Sequence, residues 1–258
     1  MDDNEKKIFS KLNAILMKTG KDEKHRGYHI LPERLNSIIT SEELKNKYVF
    51  YEKERLAYMR SKVDFQNKTI LDVGCNTGYL LFDLLDSGAK EVTGYEGKPL
   101  CGEFIIKAID LFNEEDRFHF HNRYFNFSEL NDEYDVIILL NVLHHLGDDY
   151  GDKTLSMDRA KRIIIEQINS MRKHASILIY QMGFNWHGNI KTCLFEHGLK
   201  AEMINYLKNG VKNHWKIIAI GIPERCKSGI IYKDLDDKNI VRDDSLGEFL
   251  NRPIFILN

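Results

Sequence analysis

Residues 69–97 read TILDVGCNTGYLLFDLLDSGAKEVTGYEG, and their pattern indicates the fold class. The apolar run 69–73 predicts a buried strand. A short loop ending at Gly78 leads into an amphipathic stretch that predicts a helix starting near Tyr79, and a second apolar run, 91–96, follows it. Strand, loop, helix and strand in this order predict a βαβ unit and a parallel sheet.

The loop from Gly74 to Gly78 has the features of a site for a ligand with a ribose and a polar amino-acid end. Glycines permit a sharp turn and a close approach of the backbone, and the N–H groups at the following helix N-terminus suit a carboxylate. Glu96, about twenty residues later, can accept bonds from both ribose hydroxyls. The GxNxG spacing disfavours a dinucleotide fold, which has GxGxxG, and the lack of Lys-Ser/Thr after Gly78 disfavours a P-loop.

The same alternation of apolar runs and amphipathic stretches continues to residue 222. It predicts an α/β fold with a seven-stranded, mostly parallel sheet and helices on both faces. His119 and His121 fall in a strand expected inside this sheet, so they are expected to pack rather than to bind a metal. The predicted strands are residues 69–73, 91–96, 118–122, 135–140, 176–182, 201–207 and 215–222, and the predicted helices are residues 79–87, 99–113, 157–174 and 187–198.

Three regions are predicted along the chain. Residues 1–63 carry apolar positions at helical spacing, broken by Gly27 and Pro32, and predict an N-terminal helical cap or lid. Residues 64–223 form the predicted core. Residues 224–258 form a C-terminal extension of short extra strands or an extended arm.

The loop and its surroundings resemble motif I of the class I S-adenosylmethionine-dependent methyltransferases, which have a Rossmann-like fold. Asn76 stands where a second glycine is common, and asparagine tolerates the left-handed conformation. The GCNTGY form also resembles bacterial enzymes that modify the wobble uridine of tRNA. The resemblance implies S-adenosylmethionine as the cofactor, Asp72 facing its methionyl amino group, Glu96 holding the ribose and Asn126 as the candidate for the adenine amine. The implied cofactor residues are Asp72, Gly74, Cys75, Asn76, Gly78, Tyr79, Glu96, Gly97, Asn126 and Asn141.

The segment NVLHHL, from Asn141 to Leu146, resembles a stretch that many small-molecule methyltransferases carry beside the transferable methyl. A neutral imidazole suits deprotonation of a hydroxyl near pH 7. One of His144 and His145 is therefore a candidate general base or substrate contact. In the alternative interpretation one histidine packs or caps the loop and the other is solvated.

Two further clusters are candidates for acceptor recognition. Donors crowd into the broken N-terminal stretch, which suits a lid over an anionic substrate, and polar residues follow the fifth predicted strand at the end where open α/β sheets bind ligands. The predicted substrate residues are Arg26, Tyr28, His29, Arg34, Gln181, Asn185 and Trp186.

Composition bounds the remaining choices. The net charge of −2 and the absence of a large basic appendage make a nucleic-acid partner unlikely. No apolar run is long enough to span a bilayer and the N-terminus lacks a signal-peptide core, which predicts a cytoplasmic protein without a membrane partner. The aspartates Asp148, Asp149 and Asp152 could bind a cation, but no metal is predicted because acidic surface loops are common.

The leading hypothesis is methyl transfer to an oxygen of a small polar metabolite. A sugar, phosphate or amino-acid derivative fits, since chains of this build resemble methyltransferases of bacterial surface-polysaccharide pathways. Two alternatives stay open: an enzyme that modifies the tRNA wobble uridine, and a SAM-binding module without catalysis. The acceptor and the oligomeric state are not determined by the sequence.

Overall fold

The computed structural model describes residues 3–19, 33–36 and 51–258, and these divide into two compact units. Unit 1 comprises Met1–Leu56 and Asp64–Phe125, and unit 2 comprises Ala57–Val63 and Asn126–Asn258. The boundaries of these units differ from the predicted region boundaries at residues 63 and 223. The division into cap, core and C-terminal extension remains a prediction. None of the helices in the described part of the chain is long and apolar enough to cross a membrane.

Unit 1 is built around three parallel strands in the order β3-β2-β1. Strand β1 is buried from its second residue onward, as expected for a continuous apolar run in a parallel sheet. Phe82 on the helix after β1 packs edge-on against Phe118 of β3, with ring centroids 4.9 Å apart. The elements are β1 (Thr69–Val73), β2 (Glu91–Tyr95), β3 (Phe118–His121), α1 (Asp3–Thr19), α2 (Glu33–Asn36), α3 (Glu52–Lys62, continuing into unit 2), α4 (Tyr79–Asp86) and α5 (Pro99–Phe112).

Unit 2 combines a parallel pair of strands with an antiparallel set, in the order β4-β5-β8-β6-β7. The last strand in sequence, β8, is fully buried between β5 and β6, so the C-terminal extension supplies a central strand of this unit. The elements are β4 (Tyr134–Leu140), β5 (Ala175–Gln181), β6 (Ile217–Cys226), β7 (Gly229–Asp234), β8 (Ile254–Leu257), α6 (Met157–Ser170), α7 (Lys200–Val211) and the 3₁₀ turns Leu143–His145, Met171–Lys173, Trp186–Gly188, Asp244–Leu246 and Phe249–Asn251.

The predicted α/β class is confirmed, but the strands differ in number and direction from the prediction. The described residues form eight strands, and half of the pairings within the two units are antiparallel. The predicted strand 201–207 is wrong, because it lies within helix α7, whose buried Met203, Leu207 and Val211 recur at helical spacing. The predicted helix 187–198 is also wrong, since only the turn Trp186–Gly188 is helical there.

The expectation that His119 and His121 lie inside the sheet is wrong as well. Strand β3 pairs with β2 alone among the described strands of unit 1. Phe118 is buried while His119 and His121 are exposed, which is the alternation typical of a strand with one solvated face.

Candidate cofactor and acceptor sites

The loop after β1 takes the conformation that its glycines permit. Gly74, Asn76 and Gly78 all have left-handed backbone angles, with φ of 78°, 53° and 79°. The N–H groups of Gly74 and Cys75 donate to the carbonyl oxygen of Tyr95, at 2.8 and 3.0 Å. Because that carbonyl belongs to the end of β2, the loop is fixed against the neighbouring strand. Asn76 thus adopts the left-handed conformation expected where a glycine is more common.

Glu96 joins the loops that follow β1 and β2. Its carboxylate is buried and accepts the N–H of Asn76 at 2.9 Å and the N–H of Lys98 at 2.8 Å. A carboxylate has about four lone-pair sites, so these two bonds are compatible with bonds from two ligand hydroxyls. The binding of a ribose by Glu96 remains a prediction. The two backbone N–H groups fix the position of the carboxylate that would accept the ribose hydroxyls.

Asp72 is a buried carboxylate that accepts no hydrogen bond from the residues that the structure describes. It is 3% exposed, and burial, opposed by Arg55 and assisted by Glu96, raises its pKa to about 7. A carboxylate in such surroundings is stabilised by a cationic partner. A ligand ammonium group would supply that charge, which fits the predicted contact with the methionyl amino group.

The sequence interpretation missed two buried charged residues of helix α3. Arg55 and Glu52 are 4% and 3% exposed, and the Nη2 of Arg55 lies 3.3 Å from the Oε1 of Glu52. Arg55 also lowers the pKa of Asp72, although burial outweighs it. Together with Glu96, unit 1 therefore contains three buried carboxylates and one buried guanidinium, an excess of negative charge that suits a cationic ligand. The available sequence signal for this ion pair was the spacing of Glu52 and Arg55, because residues three apart on a helix are neighbours on its surface.

The other predicted cofactor residues of unit 1 lie around the same loop. Cys75 is buried, and burial raises the pKa of its thiol well above the usual value, so it packs as a thiol rather than reacting as a thiolate. Tyr79 is buried at the first position of α4. Gly97 lies against the ring of Tyr124, because a Cβ on Gly97 would lie 2.5 Å from that ring. Thr77 was missed, and its Oγ1 is buried without a partner among the described residues.

Asn126 is placed differently from the other predicted cofactor residues. It belongs to unit 2, and its amide forms a local turn: Oδ1 accepts the N–H and hydroxyl of Ser128, while Nδ2 donates to Glu129 at 2.8 Å. The side chain of Asn126 thus forms a local turn, and its contact with the adenine amine remains a prediction.

A polar network lies at the carboxyl ends of β4 and β5 in unit 2. Asn141, with φ of 60°, donates from Nδ2 to the Oε1 of Gln181 at 3.0 Å, and its Oδ1 accepts from the Nη1 of Arg252 at 2.8 Å. Gln181 in turn donates to the carbonyl of Arg252 at 3.0 Å. Glu248 accepts from the Nε of Arg252 and from the N–H of Phe184 at 2.9 Å. We call Asn141, Gln181, Glu248 and Arg252 the amide–arginine network.

Sequence reasoning found only half of this network. Asn141 and Gln181 were predicted from their positions after strands, whereas Glu248 and Arg252 come from the C-terminal extension, whose role was left open. Their spacing of four residues, acid before base, was the available signal.

The two adjacent histidines have different surroundings. His144 is buried, and its Nδ1 accepts the N–H of Gly183 at 3.2 Å, which fixes the neutral form with the proton on Nε2. His145 is partly exposed, and its Nδ1 lies 3.4 Å from Oδ2 of Asp149. One histidine of the pair therefore packs, as one interpretation of the sequence expects, and His145 is the better candidate base.

The predicted substrate residues after β5 lie beside the histidines. The indole N–H of Trp186 donates to the carbonyl of Leu146 at 2.8 Å, and Nε2 of His187 lies 3.1 Å from the same oxygen. Asn185 forms an isolated β-bridge with Cys193. The structure thus brings the segment after β5 against the histidine turn in unit 2.

Of the four N-terminal candidates, the structure describes Arg34. Arg26, Tyr28 and His29 lie outside the described residues. Arg34 forms ion pairs with Asp86 and, at 2.8 Å, with Glu114. Asp86 ends α4 and Glu114 precedes β3, so Arg34 lies at the amino edge of the strands of unit 1, opposite the loop after β1. These ion pairs hold Arg34 against unit 1, and its contact with a substrate remains a prediction.

The acidic segment after the histidines forms a group different from the predicted one. His145, Asp148 and Asp149 could together offer three ligand atoms, all within 4.8 Å of one another. Asp152 instead accepts from the N–H and hydroxyl of Thr154, at 2.8 and 2.7 Å. That no metal is required remains a prediction.

Comparison with known proteins finds a family model that matches part of the chain. Residues 45–164 match a family model described as a methyltransferase domain. The matched segment contains the loop after β1, Glu96 and both histidines. It therefore covers the groups of unit 1 to which the sequence assigns the cofactor.

Curated relatives match part of the chain. The tRNA U34 carboxymethyltransferase of Wolinella succinogenes is 31% identical over 103 residues, which is 37% of this chain and 34% of the relative. The protein of the same name from Nautilia profundicola is 31% identical over 93 residues, 35% of this chain and 30% of the relative. The chain thus matches about a third of the length of these relatives.

These relatives correct one prediction. The expectation that a nucleic-acid partner is unlikely is wrong, because the relatives are named for the modification of tRNA. The physical reason is that the net charge of −2 sums over the whole chain and does not report the charge of a local surface.

Solved structures show the same fold at low identity. The magnesium protoporphyrin IX methyltransferase of Synechocystis PCC 6803, crystallised with SAM, has a TM-score of 0.51 and 15% identity, covering 100% of this chain and 97% of that one. WbdD bound to a kinase inhibitor has a TM-score of 0.56 and 14% identity, covering 96% of this chain and 47% of that one. At these identities the likeness establishes the fold alone.

Proposed function

We propose a reaction for this chain from the premise that it belongs to the class I S-adenosylmethionine-dependent methyltransferases. The proposed reaction transfers the methyl group to a hydroxyl oxygen of a polar acceptor. The single observation that carries it is the pairing of the partly exposed His145 with Asp149. A hydroxyl is the acceptor class that needs a base, and the surroundings of His145 suit that role.

The residues of unit 1 fit the cofactor. S-adenosylmethionine supplies an electrophilic methyl group on a positively charged sulfur. The buried, hydrogen-bond-poor carboxylate of Asp72 would hold the ammonium group, and Glu96 would hold the ribose hydroxyls. The excess of buried carboxylates over Arg55 in this unit favours a cationic ligand.

His145 would remove the proton of the acceptor hydroxyl. As the hydroxyl oxygen forms its bond to the methyl carbon, the bond from that carbon to sulfur breaks and its electron pair stays on sulfur. The proton passes to Nε2 of His145, and the imidazolium so formed is stabilised by Asp149, 3.4 Å from Nδ1. His144 cannot share this role through Nδ1, since that atom accepts the N–H of Gly183.

Two acceptors carry hydroxyl groups that fit this proposal. The relatives favour a uridine of tRNA, since two of them are named for modification of U34. The small polar metabolite expected from the sequence is the other candidate. The group that is transferred must also be identified. The relatives are named for transfer of a carboxymethyl group, whereas the proposed reaction transfers a methyl group.

The test is a transfer assay with S-adenosylmethionine labelled in its methyl group. Acceptors are an unmodified tRNA pool and a panel of hydroxylated metabolites, and mass spectrometry of the product identifies the group and the atom. We expect the label on a hydroxyl oxygen. His145→Gln should lower the rate roughly 10²–10⁴-fold, the usual contribution of a general base.

The matched control is His214→Gln, at an exposed histidine of the same unit. It should retain the rate of the unaltered protein. Label on a carboxylate, phosphate or nitrogen, with His145→Gln fully active, would overturn the proposal, because such acceptors do not require this base.

A further inference from the structure

Helix α1 of unit 1 carries a segment of strong positive charge. Residues 6–18 contain four lysines and no acidic residue, in a chain whose net charge is −2. The acidic residues Asp3 and Glu5 lie in the first turn of the helix, before this segment. The positive charge of α1 is therefore concentrated on one element, which makes the helix a candidate surface for an anionic partner.

Three of these lysines form one stripe along the exposed side of α1. Lys7, Lys11 and Lys18 fall within about 40° of one another around the helix axis and span about 16 Å along it. All three side chains are exposed, and none of the residues that the structure describes forms an ion pair with them. We call these three residues the α1 lysine stripe. Neither the cofactor loop nor the histidine turn uses them.

The apolar side of α1 is buried within its own unit. Leu12, Ile15 and Leu16 are 0%, 5% and 1% exposed, and α1 packs against α5. A helix that binds a membrane surface inserts its apolar face between the lipids. Because these apolar side chains of α1 are buried in packing, the stripe suits a polyanion in solution better than a lipid surface.

We propose that the α1 lysine stripe binds the phosphate backbone of RNA, with each ammonium group on a separate phosphate. Lysine is a flexible point charge with three donors, so a row of lysines attracts phosphates without selecting a base sequence. The inference rests on the tRNA acceptor of the proposed function, and it concerns the docking of RNA rather than the reacting atoms. Helix α1 precedes residues 45–164, which match the methyltransferase family model, so the stripe lies outside the matched domain.

The test measures the binding of fluorescein-labelled, unmodified tRNA to the full chain by anisotropy at several salt concentrations. The triple variant Lys7→Gln, Lys11→Gln, Lys18→Gln should reduce the slope of log affinity against log salt by about 2–3, the value for three phosphate contacts. Its affinity at ~0.1 M salt should fall roughly 10²-fold for the same reason. Arginine at the same three positions keeps the charges and should preserve binding, because arginine also pairs with phosphate.

The matched control removes the same charge from unit 2. Lys173, Lys208 and Lys227 are exposed lysines on separate elements, and their replacement by glutamine should leave the salt slope unchanged. Calorimetry with S-adenosylmethionine shows whether the variants are folded, and the cofactor affinity of the α1 variants should equal that of the unaltered protein.

The proposal is overturned if the glutamine variant of α1 keeps its salt slope and affinity, if the control loses as much, or if the unaltered chain does not bind tRNA. Binding to phosphatidylserine vesicles that is tighter than binding to tRNA, and is lost in the glutamine variant, would also overturn it in favour of a membrane partner. Methyl transfer to a small hydroxylated acceptor that depends on His145 would still stand in each case. Conversely, tRNA binding through the stripe without transfer to a hydroxyl would overturn the proposed function alone, so the two failures are distinguishable.

Discussion

Asp72 of unit 1 and the amide–arginine network of unit 2 differ in how their polar groups are satisfied. In unit 1, Asp72 is buried with no hydrogen bond from a described residue, and carboxylates outnumber the guanidinium of Arg55. In unit 2, the amide–arginine network pairs its members with one another: Asn141 with Gln181, Arg252 with Asn141, and Glu248 with Arg252.

This difference indicates a ligand-binding role for Asp72 and a structural role for the amide–arginine network. A buried charge without a partner costs free energy in the folded protein, and a ligand of opposite charge recovers that cost on binding. A network whose donors and acceptors match one another stabilises the fold and defines the positions of its members. Unit 1 should therefore become more stable when Asp72 is neutralised, while unit 2 should become less stable when its network is broken.

The largest effect is expected from Arg252→Met in unit 2. This change leaves the carboxylate of Glu248 and the Oδ1 of Asn141 without the guanidinium that they share. Removal of one partner of a buried ion pair costs about 3–5 kcal/mol, and urea unfolding should show a loss near the lower end because both side chains are partly exposed.

The double variant Arg252→Met, Glu248→Met is the control for this prediction. It removes the unpaired charge and should regain a large part of the lost stability. Equal stability of the single variant and the unaltered protein would contradict the distinction between the two units.

Asp72→Asn in unit 1 should act in the opposite direction. The folded pKa of about 7 lies above the usual value of 3.8, so ionisation of Asp72 destabilises the folded chain. That cost is absent below about pH 4, grows as pH rises to about 7 and is constant above it. The variant should therefore gain about 2–4 kcal/mol of unfolding free energy at pH 8 without ligand, and no gain at pH 4.

The same variant should bind S-adenosylmethionine less tightly, by about 1–3 kcal/mol, because it loses a charge-assisted contact. Calorimetry at pH 8 measures this loss, and Asp64→Asn, at an exposed carboxylate of unit 1, is the control. A variant with lower stability and full affinity would show that Asp72 is a structural residue.

Cofactor affinity should also depend on pH through Asp72. In the unliganded protein its pKa is about 7, so the carboxylate is mostly protonated at pH 6 and mostly ionised at pH 8. Binding of a cation requires the ionised form, and affinity should rise roughly tenfold between these two values. Calorimetry in buffers of different ionisation enthalpy should detect proton release on binding at pH 6, and Asp72→Asn should abolish both effects.

The same contrast explains which parts of the molecule the sequence could predict. The loop after β1 is continuous in sequence, and its glycines, its asparagine and the acid that follows β2 determine its geometry locally. The network of unit 2 joins Asn141 to Arg252 across 111 residues, and no local pattern indicates which distant side chain satisfies an amide. Asn141, which directly follows a predicted strand, and Gln181, which lies near the end of another, were therefore predicted, and Glu248 and Arg252 were not.

Errors in the fold have a related origin. The segment 201–207 is a short, mostly apolar run of the kind that predicts a strand, yet Met203, Leu207 and Val211 fit a helix, and packing in unit 2 selects the helix. The position of β8 between β5 and β6 depends on antiparallel pairing with strands distant in the chain. Such pairing is decided by tertiary structure rather than by the apolar run itself.

The smallest effects are expected at two asparagines that share a backbone conformation, Asn76 of unit 1 and Asn141 of unit 2, with φ of 53° and 60°. Glycine adopts this conformation without strain, so Asn→Gly at either position isolates the role of the side chain. Asn76→Gly retains the backbone N–H that donates to Glu96, and its unfolding free energy should change by less than about 0.5 kcal/mol. Asn141→Gly removes the amide that bonds Gln181 and Arg252 and should cost about 1–2 kcal/mol. Urea unfolding of both variants under one condition makes the comparison, and equal losses would show that backbone conformation, rather than the matched polar network, distinguishes the two units.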